Sequence, residues 1–215
     1  MDALLVGLGN PGPEYALHRH NVGFMALERI ASRHGFGSPK SRFKGLTAEG
    51  RIGSAKVLGL KPTTFMNRSG DAVAEAVQFY KLKPEQVIVL YDELDLAPGK
   101  MKVKKGGGTA GHNGIRSIDA AIGPDFWRVR IGIGHPGIKE LVHGYVLHAF
   151  AKADRDWLDP LLDGMADEFA AMAEGKAELF MTKVAARLVP QRPPGTKVPP
   201  GTKISPGTKI PKEAG

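Results

Sequence analysis

Apolar residues along this chain follow two alternating rhythms. Short continuous runs, Ala3 to Leu8, Ala55 to Leu60, Val87 to Tyr91 and Val129 to Ile133, predict strands. Between them the apolar positions recur every three or four residues. Phe24, Leu27, Ile30 and Ala31 predict a helix over Val22 to His34 that stops at Gly35, and Ala72 to Tyr80 predicts another following Ser69-Gly70. Strands alternating with helices imply an α/β fold with helices packed on a central sheet. Gly45 to Leu60, two β-rich arms around Gly50 and Gly53, predicts a hairpin, so the sheet is expected to be mixed. Asp154 to Leu188, rich in Ala, Leu, Met and Glu, predicts one or two closing helices.

The rhythm stops near residue 189. From Pro194 the chain reads Pro-Gly-Thr-Lys-Val-Pro, Pro-Gly-Thr-Lys-Ile-Ser and Pro-Gly-Thr-Lys-Ile-Pro in tandem. Proline removes backbone donors, glycine raises the entropic cost of order, and single Val or Ile residues bury too little surface in return. The expected organisation is one domain over residues 1–189 and a disordered basic arm over 190–215.

Composition narrows the chemistry. At 215 residues and 42% hydrophobic content the chain can bury a sizeable core within one domain. Its start has no basic n-region, and glycines interrupt the apolar run, so neither a signal peptide nor a membrane span is expected there. The reading is a cytoplasmic protein with no membrane partner. The absence of cysteine excludes disulfides, thiolate zinc sites and a cysteine nucleophile. A net charge of +8 favours a polyanionic partner. Five of the cations (Arg192, Lys197, Lys203, Lys209 and Lys212) set against Glu213 place +4 of that in the arm, so any anion site in the body must be local.

Gly7-Leu-Gly9-Asn-Pro-Gly12 follows a predicted strand and has the glycine spacing of a dinucleotide-binding turn. That turn should lead directly into a helix, with an acidic residue about 20 positions on at the end of the next strand. Here Pro13-Glu14-Tyr15 and Leu17-His-Arg-His20 intervene, and the stretch where the acid should fall is itself helical. A tight turn explains the glycines as well, but not the Asn10 at its tip.

Polar residues gather instead at strand ends and loop-to-helix junctions, where α/β proteins place their sites. These are Asn10, Arg19-His20-Asn21, the run Thr63 to Gly70, Tyr91-Asp92-Glu93-Leu94-Asp95, and a glycine-rich loop from Lys104 to Gly114. They supply an imidazole, carboxylates and amides. The strings Gly-Leu-Gly-Asn-Pro-Gly (7–12), Arg-His-Asn-Val-Gly (19–23), Pro-Thr-Thr-Phe-Met-Asn (62–67), Asp-Glu-Leu-Asp (92–95), Gly-Gly-Gly-Thr-Ala-Gly-His-Asn-Gly (106–114) and Arg-Ile-Gly-Ile-Gly-His-Pro (130–136) closely resemble the bacterial-type peptidyl-tRNA hydrolase family. The resemblance runs from about Leu4 to Leu188.

That resemblance implies an esterase that releases peptide from peptidyl-tRNA without a cofactor or metal, acting as a monomer. His20 matches the family's catalytic histidine and Asp92 the carboxylate paired with it, so that a neutral imidazole takes a proton from the attacking water. Asn10, Asn67 and Asn113 match amides that hold the peptide and the terminal ribose, and Tyr15 and Met66 join the substrate-binding set. Lys102, Lys104 and Arg130 match basic residues near the 5′ phosphate of tRNA, contacts that position without reading sequence.

Blander roles stand beside these. His18 reads as a surface residue, His112 and His135 as hydrogen-bonding or substrate-contacting residues, and Glu93 and Asp95 as capping or salt-bridged. Two other classes of protein are possible: a metal-dependent hydrolase using His18, His20, Asp92 and His112, or a tRNA-binding protein without catalysis. The departure from the family pattern is the arm, which offers lysines on a mostly uncharged chain for sequence-independent contacts with RNA, or serves only as a solubilising extension.

Overall fold

In the computed structural model, which describes residues 1–188, the elements run β1 (Ala3–Gly7), α1 (Val22–Arg33), β2 (Lys40–Arg42), β3 (Gly45–Ile52), β4 (Ala55–Pro62), α2 (Ser69–Tyr80), β5 (Val87–Glu93), β6 (Met101–Lys105), α3 (Asn113–Ile122), β7 (Trp127–Gly132), α4 (Val142–Val146), α5 (Arg155–Ala173) and α6 (Ala177–Leu188). The strands form one mixed sheet in the order β2-β3-β4-β1-β5-β7-β6. β4, β1, β5 and β7 are parallel, while β3 pairs antiparallel with β4, β2 with β3, and β6 with β7. The predicted arm over 190–215 lies outside the described residues.

Period-two alternation sends each central strand's side chains into two separate cores. Leu5, Ile88, Leu90, Val129 and Ile131 face one way, among the apolar residues of α1, α5 and α6. Leu4, Val6, Leu58, Leu60, Val87, Val89 and Tyr91 face the other way, against α2 and α3. Burial on both faces explains why β1 and β5 read as uninterrupted apolar runs. The chain passes from β1 through α1 on one face and returns from β4 to β5 through α2 on the other. A crevice therefore opens beyond the carboxyl ends of β1 and β5, with Asn10 and Asp92 on its two sides.

Close approach at two glycines sets the depth of that crevice. A Cβ on Gly23 would collide with the Leu90 carbonyl and the Leu8 amide, and one on Gly7 would collide with the Gly23 carbonyl. The two glycines let α1 lie directly on β1 and β5, where the Phe24 amide donates to the Leu8 carbonyl and the Leu8 amide to the Leu90 carbonyl. Of the fingerprint-like glycines, Gly7 and Gly9 thus serve close packing against α1 while Gly12 turns the chain with φ of 118°, and two turns of 3-10 helix at Pro13–Tyr15 and Arg19–Asn21 separate them from α1.

Three features differ from the sequence expectation. Gly50 lies inside β3 opposite Val57, and the hairpin turns at Gly53-Ser54. An additional edge strand, β2, pairs with β3 through a tight turn at Phe43-Lys44, both left-handed with φ of 53° and 49°. Glycine or asparagine would ordinarily announce such a turn; here Thr63 supports it by donating its backbone N–H and its hydroxyl to the Lys44 carbonyl. The short helix α4 is also additional: Val146 joins the core under α1, α5 and α6, with Val142 and Tyr145 packed against it, while Val142, His143 and Val146 line the crevice. Replacing Gly23 with Ala should lower stability by roughly 3 kcal/mol or more. A thermal unfolding midpoint equal to that of the unaltered protein would show that α1 can shift off the sheet.

Candidate active site

The crevice is a cleft of about 600 Å³ lined by Asn10, His20, Phe65 to Asn67, Tyr91 to Leu94, Thr109 to Asn113 and one face of α4. Its floor is Asp92, the penultimate residue of β5, which is 3% exposed. Two imidazoles meet its carboxylate. His20 Nδ1 lies 2.9 and 3.0 Å from the two oxygens, and His112 Nε2 lies 3.0 Å from Oδ1.

Burial by itself would push the Asp92 carboxyl up, but attraction to His20 and His112 and the hydrogen bonds from both outweigh it and hold the group well below the usual carboxylate range. On His20 burial pulls downward, while the charge of Asp92 and its hydrogen bond pull upward and prevail, leaving the imidazole more basic than a free histidine. Because Nδ1 donates to an anionic carboxylate, Nε2 is the nitrogen left with a lone pair when His20 is neutral.

His20, Asp92 and His112 lie within 4.8 Å of one another, a spacing that could suit a cation. The donor set does not. His112 Nδ1 accepts N–H bonds from Gly114 and Ile115, so Nε2 carries the ring proton and has no lone pair for a metal.

Asn10 is fixed on three sides. Its backbone N–H donates to Asn21 Oδ1 and its carbonyl accepts from Asn21 Nδ2, each at 2.9 Å. Its own Oδ1 accepts from the Met66 amide at 2.8 Å. With the oxygen occupied, the amide NH₂ is the group Asn10 can offer to the cleft. Asn21 belongs to a junction that the sequence singles out, but its clamp on both backbone groups of Asn10 has no sequence signal. Met66 is buried and forms a wall, while Asn67, on the 3-10 turn before α2, and Asn113, the first residue of α3, are exposed along the cleft.

Other predicted positions fall elsewhere. Tyr15 does not line the cleft; its ring stands edge-on to His18 at 5.3 Å. His18 is half-buried rather than on the surface, and it bridges to Ala149. His135 is exposed in a turn where Nδ1 accepts from Gly137. Glu93 is salt-bridged to Arg130 at 3.2 Å and also caps the Asp95 amide. Arg19, beside His20, donates to the His148 and Ala149 carbonyls and lies 4.4 Å over the Tyr145 ring, tying the His20 turn to the chain after α4.

A cationic strip occupies the β6 edge. Lys102 is in register with Arg130 and Lys104 with Arg128, which puts all four side chains on one face of the β6–β7 pair. Among the described residues neither Lys102 nor Lys104 has a carboxylate within salt-bridge distance. Partial burial and the neighbouring Arg130 and Arg128 make Lys104 less basic than usual. Arg128, fully buried, donates to the Gly108 carbonyl at 2.7 Å and so holds the glycine-rich loop.

Comparison with known proteins gives consistent matches. The family model for peptidyl-tRNA hydrolase matches residues 4–192. Peptidyl-tRNA hydrolase from Roseobacter denitrificans is 61% identical over 189 residues, 88% of this chain and 81% of that protein. The enzyme of the same name from Rhodospirillum rubrum is 61% identical over 187 residues, 87% of this chain and 77% of that one. Among solved structures, peptidyl-tRNA hydrolase from Acinetobacter baumannii superposes with a TM-score of 0.81 at 42% identity, covering 86% of this chain and 94% of that chain. Among the described residues no helix is long and apolar enough to cross a membrane.

The electrostatics of the floor carry a direct consequence for proton binding. By NMR, the His20 imidazole should titrate above an ordinary histidine. In Asp92→Asn only the opposing burial remains, so the midpoint should fall below that of an ordinary histidine. A midpoint unchanged by Asp92→Asn would show that the carboxylate is not what raises it.

Proposed function

The chain belongs to the peptidyl-tRNA hydrolase family, and from that premise we propose that it cleaves the ester between a peptide and the 3′-terminal ribose of tRNA with His20 as general base. The observation that carries this reading is the His20 Nδ1 bond to the buried Asp92, which leaves Nε2 available at the wall of the cleft. Nε2 takes a proton from water as the water oxygen bonds to the ester carbonyl carbon. The carbonyl oxygen gains charge, and the amide NH₂ groups of Asn10, Asn67 and Asn113 are its candidate donors. Collapse breaks the bond to the ribose oxygen, which takes the proton from His20; peptide acid and free tRNA leave. Asp92 goes on accepting the Nδ1 hydrogen bond and stabilises the imidazolium without itself being protonated.

Substrate orientation follows from the cleft and from the cationic strip outside it, joined to it through the Glu93–Arg130 pair. Met66, Asn67 and Asn113 hold the peptide and the ribose, while Lys102, Lys104 and Arg130 at the β6 edge receive phosphate. Such contacts add affinity without sequence reading, as an enzyme serving many tRNAs requires. Tyr15, outside the cleft, is the least supported member of the substrate-binding set.

The domain in this reading spans residues 1–189, with 190–215 as an arm that adds sequence-independent RNA contacts. Its support is the repeated lysines and the place where the arm begins. It follows α6, and α6 packs on β6, where the Val103 amide donates to Met181 Sδ, on the strand that carries Lys102 and Lys104.

Two measurements test these roles. His20→Ala should lose on the order of a hundredfold or more in release of acetyl-amino acid from N-acetyl-aminoacyl-tRNA, with folding unchanged by circular dichroism. A wild-type protein that binds tRNA yet releases nothing would leave a binding protein on this fold. Truncation at Pro190 should leave kcat unchanged and make the logarithmic salt dependence of tRNA binding shallower, by about one for each phosphate that the arm neutralises. An unchanged slope would remove the arm from the RNA-binding surface.

A further inference from the structure

His112 occupies a joint between the glycine-rich loop and the catalytic floor. Its backbone is extended, and it caps α3: Nδ1 accepts from the Gly114 amide at 3.1 Å and the Ile115 amide at 3.3 Å. A nitrogen that accepts two N–H bonds carries no proton, so the ring hydrogen sits on Nε2 and is donated to Asp92 Oδ1. The side chain is 8% exposed, its ring stands 4.9 Å from that of His20, and Tyr91 lies edge-on at 5.0 Å.

Asp92 therefore divides its negative charge between two N–H donors. One is held by a helix N-terminus and the other belongs to the base that must release its proton. We propose that His112 is a positioning residue that fixes the Asp92 carboxylate to the start of α3 and, by using part of its charge, limits how tightly His20 holds a proton. The proposal rests on the reading of His20 as the base. Its structural consequence is that Asn113, the next residue along the chain and a cleft-lining amide, is set in place by the same cap.

The charged and titratable groups around His20 leave few competitors for this effect. On β5, Glu93 is engaged by Arg130 of β7, and Tyr91 packs on His112 itself. On the preceding turn, Arg19 is directed to the His148 and Ala149 carbonyls and to Asp154. From the α4 side, Lys139 and His143 line the cleft. Among the described residues, Asp92 is the carboxylate hydrogen-bonded to His20, and His112 is the other side chain bonded to that carboxylate.

Two substitutions separate the ring's two duties. Asparagine places an oxygen near the position of Nδ1 and can keep the helix cap, but it cannot reach Asp92. Glutamine places an NH₂ near the position of Nε2 and can keep the bond to Asp92, but it loses the cap. The experiment follows the His20 imidazole by NMR titration, the acid limb of kcat for N-acetyl-aminoacyl-tRNA hydrolysis, and the thermal midpoint in both variants.

In His112→Asn, Asp92 acts on His20 alone, so the His20 midpoint should rise by roughly half a unit to one unit. The acid limb should rise with it, which is about a three- to tenfold loss of rate below the midpoint. His112→Gln should keep the midpoint within about 0.2 units of the unaltered protein and instead lose thermal stability, as removal of a cap does. If the His20 midpoint stays put in a folded His112→Asn protein, or if both variants move it alike, His112 is a structural cap only and the proposal is overturned. The NMR midpoint does not depend on turnover, so a protein that releases no product would count against the hydrolase reading and leave this result standing on its own.

Discussion

A carboxylate buried at the end of an apolar strand persists as an anion only where hydrogen bonds and opposite charge replace the water it has lost. Asp92 meets that condition through His20 and His112, and much of the surrounding architecture follows from bringing those three groups together. His20 arrives from the loop after β1 and His112 from the loop before α3, and neither is close to Asp92 in the chain. The parallel order of β1 and β5, with helices on opposite faces, makes this meeting possible, because both strands end at the same rim.

The meeting is also a matter of tight tolerance. Gly7 and Gly23 let α1 approach the sheet at backbone distance, which sets the height of the turn carrying His20. Asn21 then binds both backbone groups of Asn10, and Asn10 binds the Met66 amide, so the loops after β1 and β4 are joined by side-chain amides. Such loops are ordinarily the mobile part of an α/β fold; here their polar groups are satisfied by one another. A cleft held by such bonds suits the proposed mechanism, in which a weak base and neutral amides act through orientation more than through intrinsic reactivity.

Charge is arranged with the same economy. The floor of the cleft is anionic and buried, while the cations of β6 and β7 lie on one face at the sheet edge, where Glu93 links the two zones through Arg130. In the proposed reading this separation lets a polyanion approach the edge without placing phosphate beside Asp92. Lys104 shows the cost: partial burial next to Arg128 and Arg130 leaves it less basic than a free lysine, and a bound phosphate would relieve that repulsion.

Much of the fold is legible from local pattern. The apolar runs locate β1, β4, β5 and β7, the three- and four-residue spacing locates α1 and α2, and the alanine-rich close of the body forms α5 and α6, because period and burial are properties of neighbouring residues. The motif strings locate His20, Asp92, Asn10, Asn67 and Asn113 at loop ends. Edge strand β2 escapes because its turn uses Phe43 and Lys44 in a left-handed conformation supported by groups distant in the chain, Thr63 on the Lys44 carbonyl, Glu75 on Lys44 and Phe79 on Phe43. Tyr15 lies in a segment that matches the family, yet its ring packs on His18 and does not line the cleft. The role of His112 and the clamp formed by Asn21 are decided by tertiary structure alone. Each depends on a hydrogen bond to a group brought near by the sheet, and no spacing within the chain encodes which nitrogen of an imidazole will face a helix and which a carboxylate.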